Sequence, residues 1–388
     1  MPSRPAPPCS GPRIGVVGAG QLARMMLPAA IELDLPLTVL ATDPAESAAR
    51  VAGQVRIGRH DDDEAVRALA EQVDVLTVEH EHVPGPILTA IDEDGLAAVH
   101  PGADALRYAQ DKLVMRERLG ALGHPCPRWW RAEGPDELER ILREAGGRAV
   151  VKTPRGGYDA HGVRIVTEAA QVAEWWSGRE ALLVEELVPF ARELSAQVAR
   201  RPGGETLAYP VVASRQKDGV AYEVVAPAPG LDADAQARGQ ELATAIATDL
   251  DVTGMLAVEL FELEDGRLLV NELAMRPHNT GHWSMDGAVT GQFEQHLRAV
   301  ADLPLGSVTS LAPVTVMVNL LGGRSEDLAA GARRAMEQDP DLRIHLYGKS
   351  VRPGRKVGHV NLLGTDPAEL LRRAHAAERI IVDGVPEP

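Results

Sequence analysis

Two glutamates that a hairpin would set face to face are the residues here whose types and spacing promise the most chemistry. The runs LAVELF (256–261) and RLLVNEL (267–273) flank Asp265-Gly266, a two-residue turn signal between strands. A turn there places Glu259 opposite Glu272. Like charges facing across strands repel unless something neutralises them, and Mg²⁺ does so by joining one or two carboxylates to substrate phosphates. Asn271 and Arg276 sit beside the pair, where an arginine can spread charge on a transferring phosphoryl group. Upstream, Lys152 ends the apolar run AVVK and leads into RGGYDAHG (155–162), then a second strand-like run, VRIV. The N–H groups of a glycine hairpin can fold over phosphate oxygens while the lysine adds a point charge. It is no P-loop, because G-x-x-x-x-G-K-[ST] leading into a helix is absent. The plain alternatives are an exposed hairpin lysine and two solvated glutamates.

A second anion motif lies near the start. Gly18-Ala19-Gly20 follows IGVV (14–17), Ala23 fills the third position of G-x-G-x-x-G/A, and Asp43 ends the next strand-like run. That formally completes a dinucleotide fingerprint and makes a nicotinamide oxidoreductase the rival class. A sugar phosphate satisfies such a helix N-terminus as well as a pyrophosphate does, and the triphosphate chemistry downstream tips the balance. His278 and His282 have zinc-helix spacing, but Asn-Thr-Gly lies between them with no glutamate, which argues against helix and zinc alike. In VEHEHV (78–83), His80 and His82 share one strand face and Glu79 and Glu81 the other, read as an edge that lines substrate. Trp129-Trp130 and Trp175-Trp176 read as packing residues, since no basic patch surrounds them.

The elements that position these groups fall into three blocks. Residues 1–12 are proline-rich and read as a tail. Over residues 13–109, IGVV, LTVLAT, DVLTVE and LAAVH alternate with helical stretches, which predicts a parallel, doubly wound sheet. A helical link follows, clearest over 111–119. Residues 110–312 carry strand-like runs separated by glycine turns, an α+β and largely antiparallel block. Residues 313–388 hold VTVMVNLLG, a charged helix near 326–337, IHLYG and VGHVNLLG, read as a small C-terminal domain.

The chain has 388 residues and a formal charge of −16, which would repel a nucleic-acid backbone or an anionic membrane surface. Cys9 and Cys126 are the only cysteines, so there is no disulfide framework, and a reducing, cytoplasmic setting is expected. No window reaches the roughly 20 apolar residues that span a bilayer.

Three segments together resemble the N5-carboxyaminoimidazole ribonucleotide synthase family of ATP-grasp ligases: GAGQLARMM (18–26), NELAMRPHNTGHW (271–283) with GQFE (291–294), and VRPGRKVGHVNLLG (351–364). The resemblance runs from residue 13 to the C-terminus. It implies an ATP-grasp fold with an N-terminal Rossmann-like (pre-ATP-grasp) domain and a small C-terminal domain. It also implies ATP- and bicarbonate-dependent carboxylation of 5-aminoimidazole ribonucleotide by way of carboxyphosphate, in purine biosynthesis. The alternative is another ATP-grasp ligase, such as a formate-dependent ribonucleotide transformylase.

By that resemblance Arg107, Lys152 and the loop Gly156, Gly157, Tyr158, Asp159, Ala160, His161 and Gly162 hold the ATP phosphates. Glu185, Glu186, Leu187 and Val188 form the adenine hinge, Glu193 takes the ribose hydroxyls, and Gln216 and Asn271 lie near the nucleotide. Glu259 and Glu272 bind Mg²⁺ or Mn²⁺. Gln21, Leu22, Glu81, Tyr158, Asp159, Arg276, Arg355 and Lys356 surround the ribonucleotide, with Arg276, Lys356, Asp159 and His161 as the catalytic set. No biotin is implied, and a homodimer is. The chain departs from the family pattern at Ala160 and His161, where glycine and a cation are usual, at Gln216 in place of histidine, and at Met275 in place of proline.

Overall fold

The alternating runs of the first hundred residues do form a parallel sheet. In the computed structural model, which describes residues 11–157, 161–217 and 219–384, its strands are β1 (Ile14–Val17), β2 (Leu37–Ala41), β3 (Gln54–Ile57), β4 (Val75–Val78) and β5 (Ala98–Val99). Their order is β3-β2-β1-β4-β5, every neighbour parallel. β1, β2 and β4 are buried along their whole length, as expected of strands covered on both faces. The helix Gln21–Glu32 packs through Met25 and Met26 into a cluster that also takes Phe293, Leu297 and Val300, so the central block leans directly on this domain.

Four strands form a separate antiparallel sheet: β6 (Trp129–Ala132), β7 (Ala149–Lys152), β8 (Val163–Val166) and β9 (Leu182–Glu185), ordered β6-β9-β7-β8. They enclose a core of their own with Leu138, Ile141 and Val172, against which Trp130, Trp175 and Trp176 pack. The tryptophans are packing residues, as their surroundings in the sequence suggested.

The largest sheet has nine strands: β10 (Phe190–Arg200), β11 (Thr206–Ala208), β12 (Val212–Lys217), β13 (Val220–Ala226), β14 (Gly254–Leu263), β15 (Leu268–Ala274), β16 (Val314–Leu321), β17 (Arg343–Leu346) and β18 (Lys356–Gly364). The path is β15-β14-β10-β12-β13-β16-β18-β17, with β11 beside β10. The C-terminal strands thus extend the central sheet through the β13–β16 pairing. Alternation sorts β10 and β14: Leu194, Ala196, Val258 and Leu260 enter the main core, leaving Glu193, Ser195 and Glu259 for the other face.

The β14–β15 hairpin differs from expectation in one respect that matters. Its loop has three residues, because Leu263 N–H bonds to Arg267 carbonyl and Gly266 takes a left-handed φ of 78°, the usual three-residue hairpin with glycine at the last position. That loop pairs Leu260 with Val270, one step off the two-residue register, and a bulge then restores Glu259 opposite Glu272. Asn271 is the extra residue. Val270 and Leu273 both point into the main core, a spacing of three that strict alternation forbids, so the bulge is what turns Glu272 onto the same face as Glu259.

Candidate active site

A cleft of about 1010 Å³ opens where the parallel sheet, the four-stranded domain and the large sheet meet. Its volume reaches the upper end of ligand pockets. Its floor is the bulged hairpin. Glu259 and Glu272 oppose each other there, with 25% and 39% of their side chains exposed. Burial, then the neighbouring charges of Glu272 and Glu193, push the Glu259 carboxyl up to about 7. Burial also acts on Glu272, but Lys112 and Lys152 outweigh it and hold its carboxyl below the usual range. The two acids therefore differ. Glu272 is a fixed anion paired with Lys112, while Glu259 holds a proton near neutrality, with His278 Nε2 3.3 Å away. His278 Nδ1 lies 2.9 Å from Thr280 Oγ1; burial, with Arg276 and Lys356, keeps the ring neutral.

Lys152, at the end of β7, lies 2.7 Å from Glu185 Oε2 and donates to Asn271 Oδ1 at 3.0 Å. Two of its three N–H groups are so engaged, leaving one for an anion. Glu185 also takes Arg116 Nε at 2.5 Å. Burial opposes ionisation of Glu185, yet Lys152 and Arg116 hold its carboxyl at about 2. Arg116 in addition donates to the Asn271 carbonyl at 2.6 Å, so one fully buried guanidinium anchors both the bulge and the partner of the phosphate-directed lysine.

Around this floor, Glu186, Leu187 and Val188 line one side of the cleft, with Glu193 and Gln216 on the large sheet. Burial raises the pKa of Glu193. Gly156 and Gly157 line the cleft; Gly162 abuts Thr153 Oγ1, 2.3 Å from where a Cβ would stand. Tyr158, Asp159 and Ala160 lie outside the described residues, and His161 is exposed beside them. At the other end are Gln21, Leu22, Glu81, Arg276, Arg355 and Lys356. Arg276 Nε donates to Glu81 at 2.9 Å, and Arg355 Nη1 to Ser350 Oγ at 2.7 Å. Arg107 is not brought to the cleft lining; it stacks on its neighbour Tyr108, half exposed. Met275 is core.

Two expectations near β4 need correction. The strand ends at Val78, so Glu79 and Glu81 do not share a strand face. Glu79 instead turns into the Gly18–Gly20 turn, accepting from Gly20 N–H at 2.5 Å and Ala23 N–H at 3.0 Å. A pyrophosphate has no room there, and neither has the sugar phosphate that the motif suggested. His80 and His82 cluster with His60, but no group of three or more His, Cys, Asp or Glu among the described residues can hold a metal. His282 is buried against Gln292 and stacks on His359, away from any zinc geometry.

Lys112, Arg116 and Lys349 were missed by sequence reasoning. Lys112 opens the helix Lys112–Leu122 after the N-cap Asp111, and nothing in its neighbours marks it as a partner for a residue 160 positions away.

The chain matches three family models: the ribonucleotide synthetase preATP-grasp domain over residues 12–110, the ATP-grasp domain over 117–293 and the phosphoribosylaminoimidazole carboxylase C-terminal domain over 315–373. It is similar to the N5-carboxyaminoimidazole ribonucleotide synthase of Mycobacterium bovis, 49% identical across 96% of this chain and 88% of the relative. Among solved structures it resembles the N5-carboxyaminoimidazole ribonucleotide synthetase of Thermus thermophilus, with a TM-score of 0.85, 35% identity and coverage of 97% and 100%. A further resemblance is to the Aspergillus clavatus N5-carboxyaminoimidazole synthase in complex with ADP and 5-aminoimidazole ribonucleotide, with a TM-score of 0.88, 30% identity and coverage of 97% and 99%.

Proposed function

The chain belongs to the N5-carboxyaminoimidazole ribonucleotide synthase family of ATP-grasp ligases, and we propose from its geometry how it performs ATP-dependent carboxylation of 5-aminoimidazole ribonucleotide to the N5-carboxy product in purine biosynthesis. The observation that carries the reading is the bulged hairpin, which turns two carboxylates and a lysine-held asparagine onto one cleft floor.

Bicarbonate is a poor electrophile, so ATP first phosphorylates it to carboxyphosphate with release of ADP, and the ribonucleotide's exocyclic amine then takes up the carboxyl group as inorganic phosphate leaves and the amine gives up a proton. Lys152 uses its remaining N–H on the triphosphate. Glu259, Glu272 and Asn271, an all-oxygen set, would hold Mg²⁺, which would supply neutralising charge for the substrate phosphates. Binding there would require Glu259, which burial and then Glu272 and Glu193 keep protonated, to release its proton. Arg276, fixed by Glu81, spreads charge at the transferring group. Lys356 and Arg355 address the ribonucleotide. The four-stranded domain, with its independent core, carries the glycine loop that closes over the intermediate and excludes water; Tyr158, Asp159 and His161 act from that loop. We place the functional boundaries at residues 110 and 313, the active species as a homodimer and the setting as the cytoplasm. No helix among the described residues is long and apolar enough to cross a membrane, and light scattering tests the dimer.

The deciding experiment is coupled ADP release with ATP, bicarbonate and aminoimidazole ribonucleotide omitted in turn. Dependence on both bicarbonate and the ribonucleotide is expected, and release driven by formate instead would favour the transformylase class. Lys356→Ala is expected to leave ATP affinity within about threefold while lowering carboxylation about 10²-fold, as for other groups that act on developing charge; an unchanged rate removes Lys356 from this role. Because Glu259 titrates at about 7, Mg²⁺ must displace its proton at lower pH. Apparent Mg²⁺ affinity should therefore fall about tenfold per pH unit well below 7 and level off above 8. Isothermal titration at several pH values reads this directly, and a flat profile would remove Glu259 from the metal site.

A further inference from the structure

Glu79 has no part in the chemistry just assigned, yet it is buried and its surroundings are built around it. The helix Gln21–Glu32 has no side-chain cap at its N-cap residue Gly20, and such an end offers unpaired N–H groups and a partial positive charge. Both oxygens of the Glu79 carboxylate meet that end, Oε1 on Gly20 N–H and Oε2 on Ala23 N–H. The glycines of the motif fit this occupant. A Cβ on Gly18 would lie 2.4 Å from Glu79 Cγ, and one on Gly20 would lie 2.6 Å from Glu79 Oε1. The same spacing that admits a pyrophosphate elsewhere here admits a side chain of the chain itself.

We propose that Glu79 is a built-in anion: its carboxylate fills the phosphate cradle at the first helix, keeps free and substrate phosphates out of it, and acts as a positioning residue for the ribonucleotide end of the cleft. The positioning follows from what lies next to its two anchor points. Gln21, beside Gly20, accepts from Lys349 Nζ at 2.6 Å and approaches Asn279 at 3.5 Å. Glu81, two residues beyond Glu79, holds Arg276. One buried carboxylate thus joins the two segments that present polar groups to the substrate. A carboxylate at this wall also turns a phosphate toward the cations Arg355 and Lys356, which line the same cleft, while Lys349 is held on the carboxylate's own side by Gln21.

The second half of this proposal rests on the carboxylase reading; the first half does not, and the test separates them. Wild type, Glu79→Ala and Glu79→Gln are melted in increasing inorganic phosphate or acetate, without substrates. In Glu79→Ala the emptied cradle is expected to bind the added anion, raising the melting temperature by several degrees more than in wild type or Glu79→Gln, as ligand binding to the native state requires. In the coupled assay the variant's KM for aminoimidazole ribonucleotide should rise about tenfold against less than about threefold for ATP, with acetate restoring it. Phosphate should compete with the ribonucleotide more strongly in Glu79→Ala than in wild type. A phosphate response equal in wild type and Glu79→Ala overturns the built-in anion, and equal losses for ATP and ribonucleotide overturn the positioning role. If wild type itself fails to use the ribonucleotide, the carboxylase reading falls while the melting series still decides the cradle. Should Glu79→Ala not fold, Glu79→Gln, which keeps the volume but loses one hydrogen bond because its amide N–H2 meets a backbone N–H donor, must still raise the ribonucleotide KM; a wild-type value overturns the proposal.

Discussion

Glutamine at position 272 is expected to lower ATP turnover on the order of 10²–10³-fold, the loss that follows removal of one group stabilising charge in phosphoryl chemistry. The amide keeps the shape of the side chain but cancels the fixed charge opposite Glu259. Two further effects identify the cause. Lys112, 8% exposed, loses its counter-charge, so a modest fall in melting temperature accompanies the loss of activity. Glu259 loses the second of the influences that push its carboxyl up, after burial, so it should titrate nearer the ordinary carboxylate range. Steady-state rates over an Mg²⁺ series at several pH values, with a melt of the same sample, check all three; wild-type turnover would take Glu272 out of the site.

Arg116→Met is expected to produce the largest loss of stability, about 3–5 kcal/mol, because it breaks a buried ion pair from one side. The guanidinium is fully buried and Glu185 is 3% exposed, so the abandoned carboxylate keeps Lys152 alone. The carbonyl of the bulged Asn271 loses its donor too, a cost of about 1–3 kcal/mol for an unsatisfied buried group that is contained in the larger figure. Lys152 would then be drawn fully to Glu185, and ATP affinity should fall with stability. A urea midpoint and a nucleotide titration measure the two. Pairing the change with Glu185→Leu should recover little of the stability and none of the ATP affinity, since it leaves the buried Lys152 without its counter-charge. A midpoint unchanged in Arg116→Met would show that the pair carries no stability.

Much of the architecture was legible because it depends on short-range pattern. Buried parallel strands read as apolar runs between helices, and β1, β2 and β4 stand where IGVV, LTVLAT and DVLTVE predicted. The hairpin is more instructive. The pairing of Glu259 with Glu272 was predicted from a two-residue turn that does not exist; a three-residue loop and a one-residue bulge displace the register in opposite senses and return it. The bulge had a signal in the apolar spacing of Val270 and Leu273, which breaks the period of two.

Other features had no local signal. Lys112 and Arg116 belong to a helix whose sequence gives no hint of what faces it, and they meet Glu272, Glu185 and Asn271 across 69 to 160 residues. The glycine turn shows the same limit from the opposite side. Its motif is that of an anion cradle, and an anion is there, but the chain supplies it from Glu79. Residue types and periodicity thus settle which segments become strands and which backbone turns can hold a negative charge, since these follow from sterics and local hydrogen bonding. Which charge neutralises which, and whether a cradle stays open for a ligand, depends on groups distant in sequence that compete for one buried volume, and folding resolves that competition.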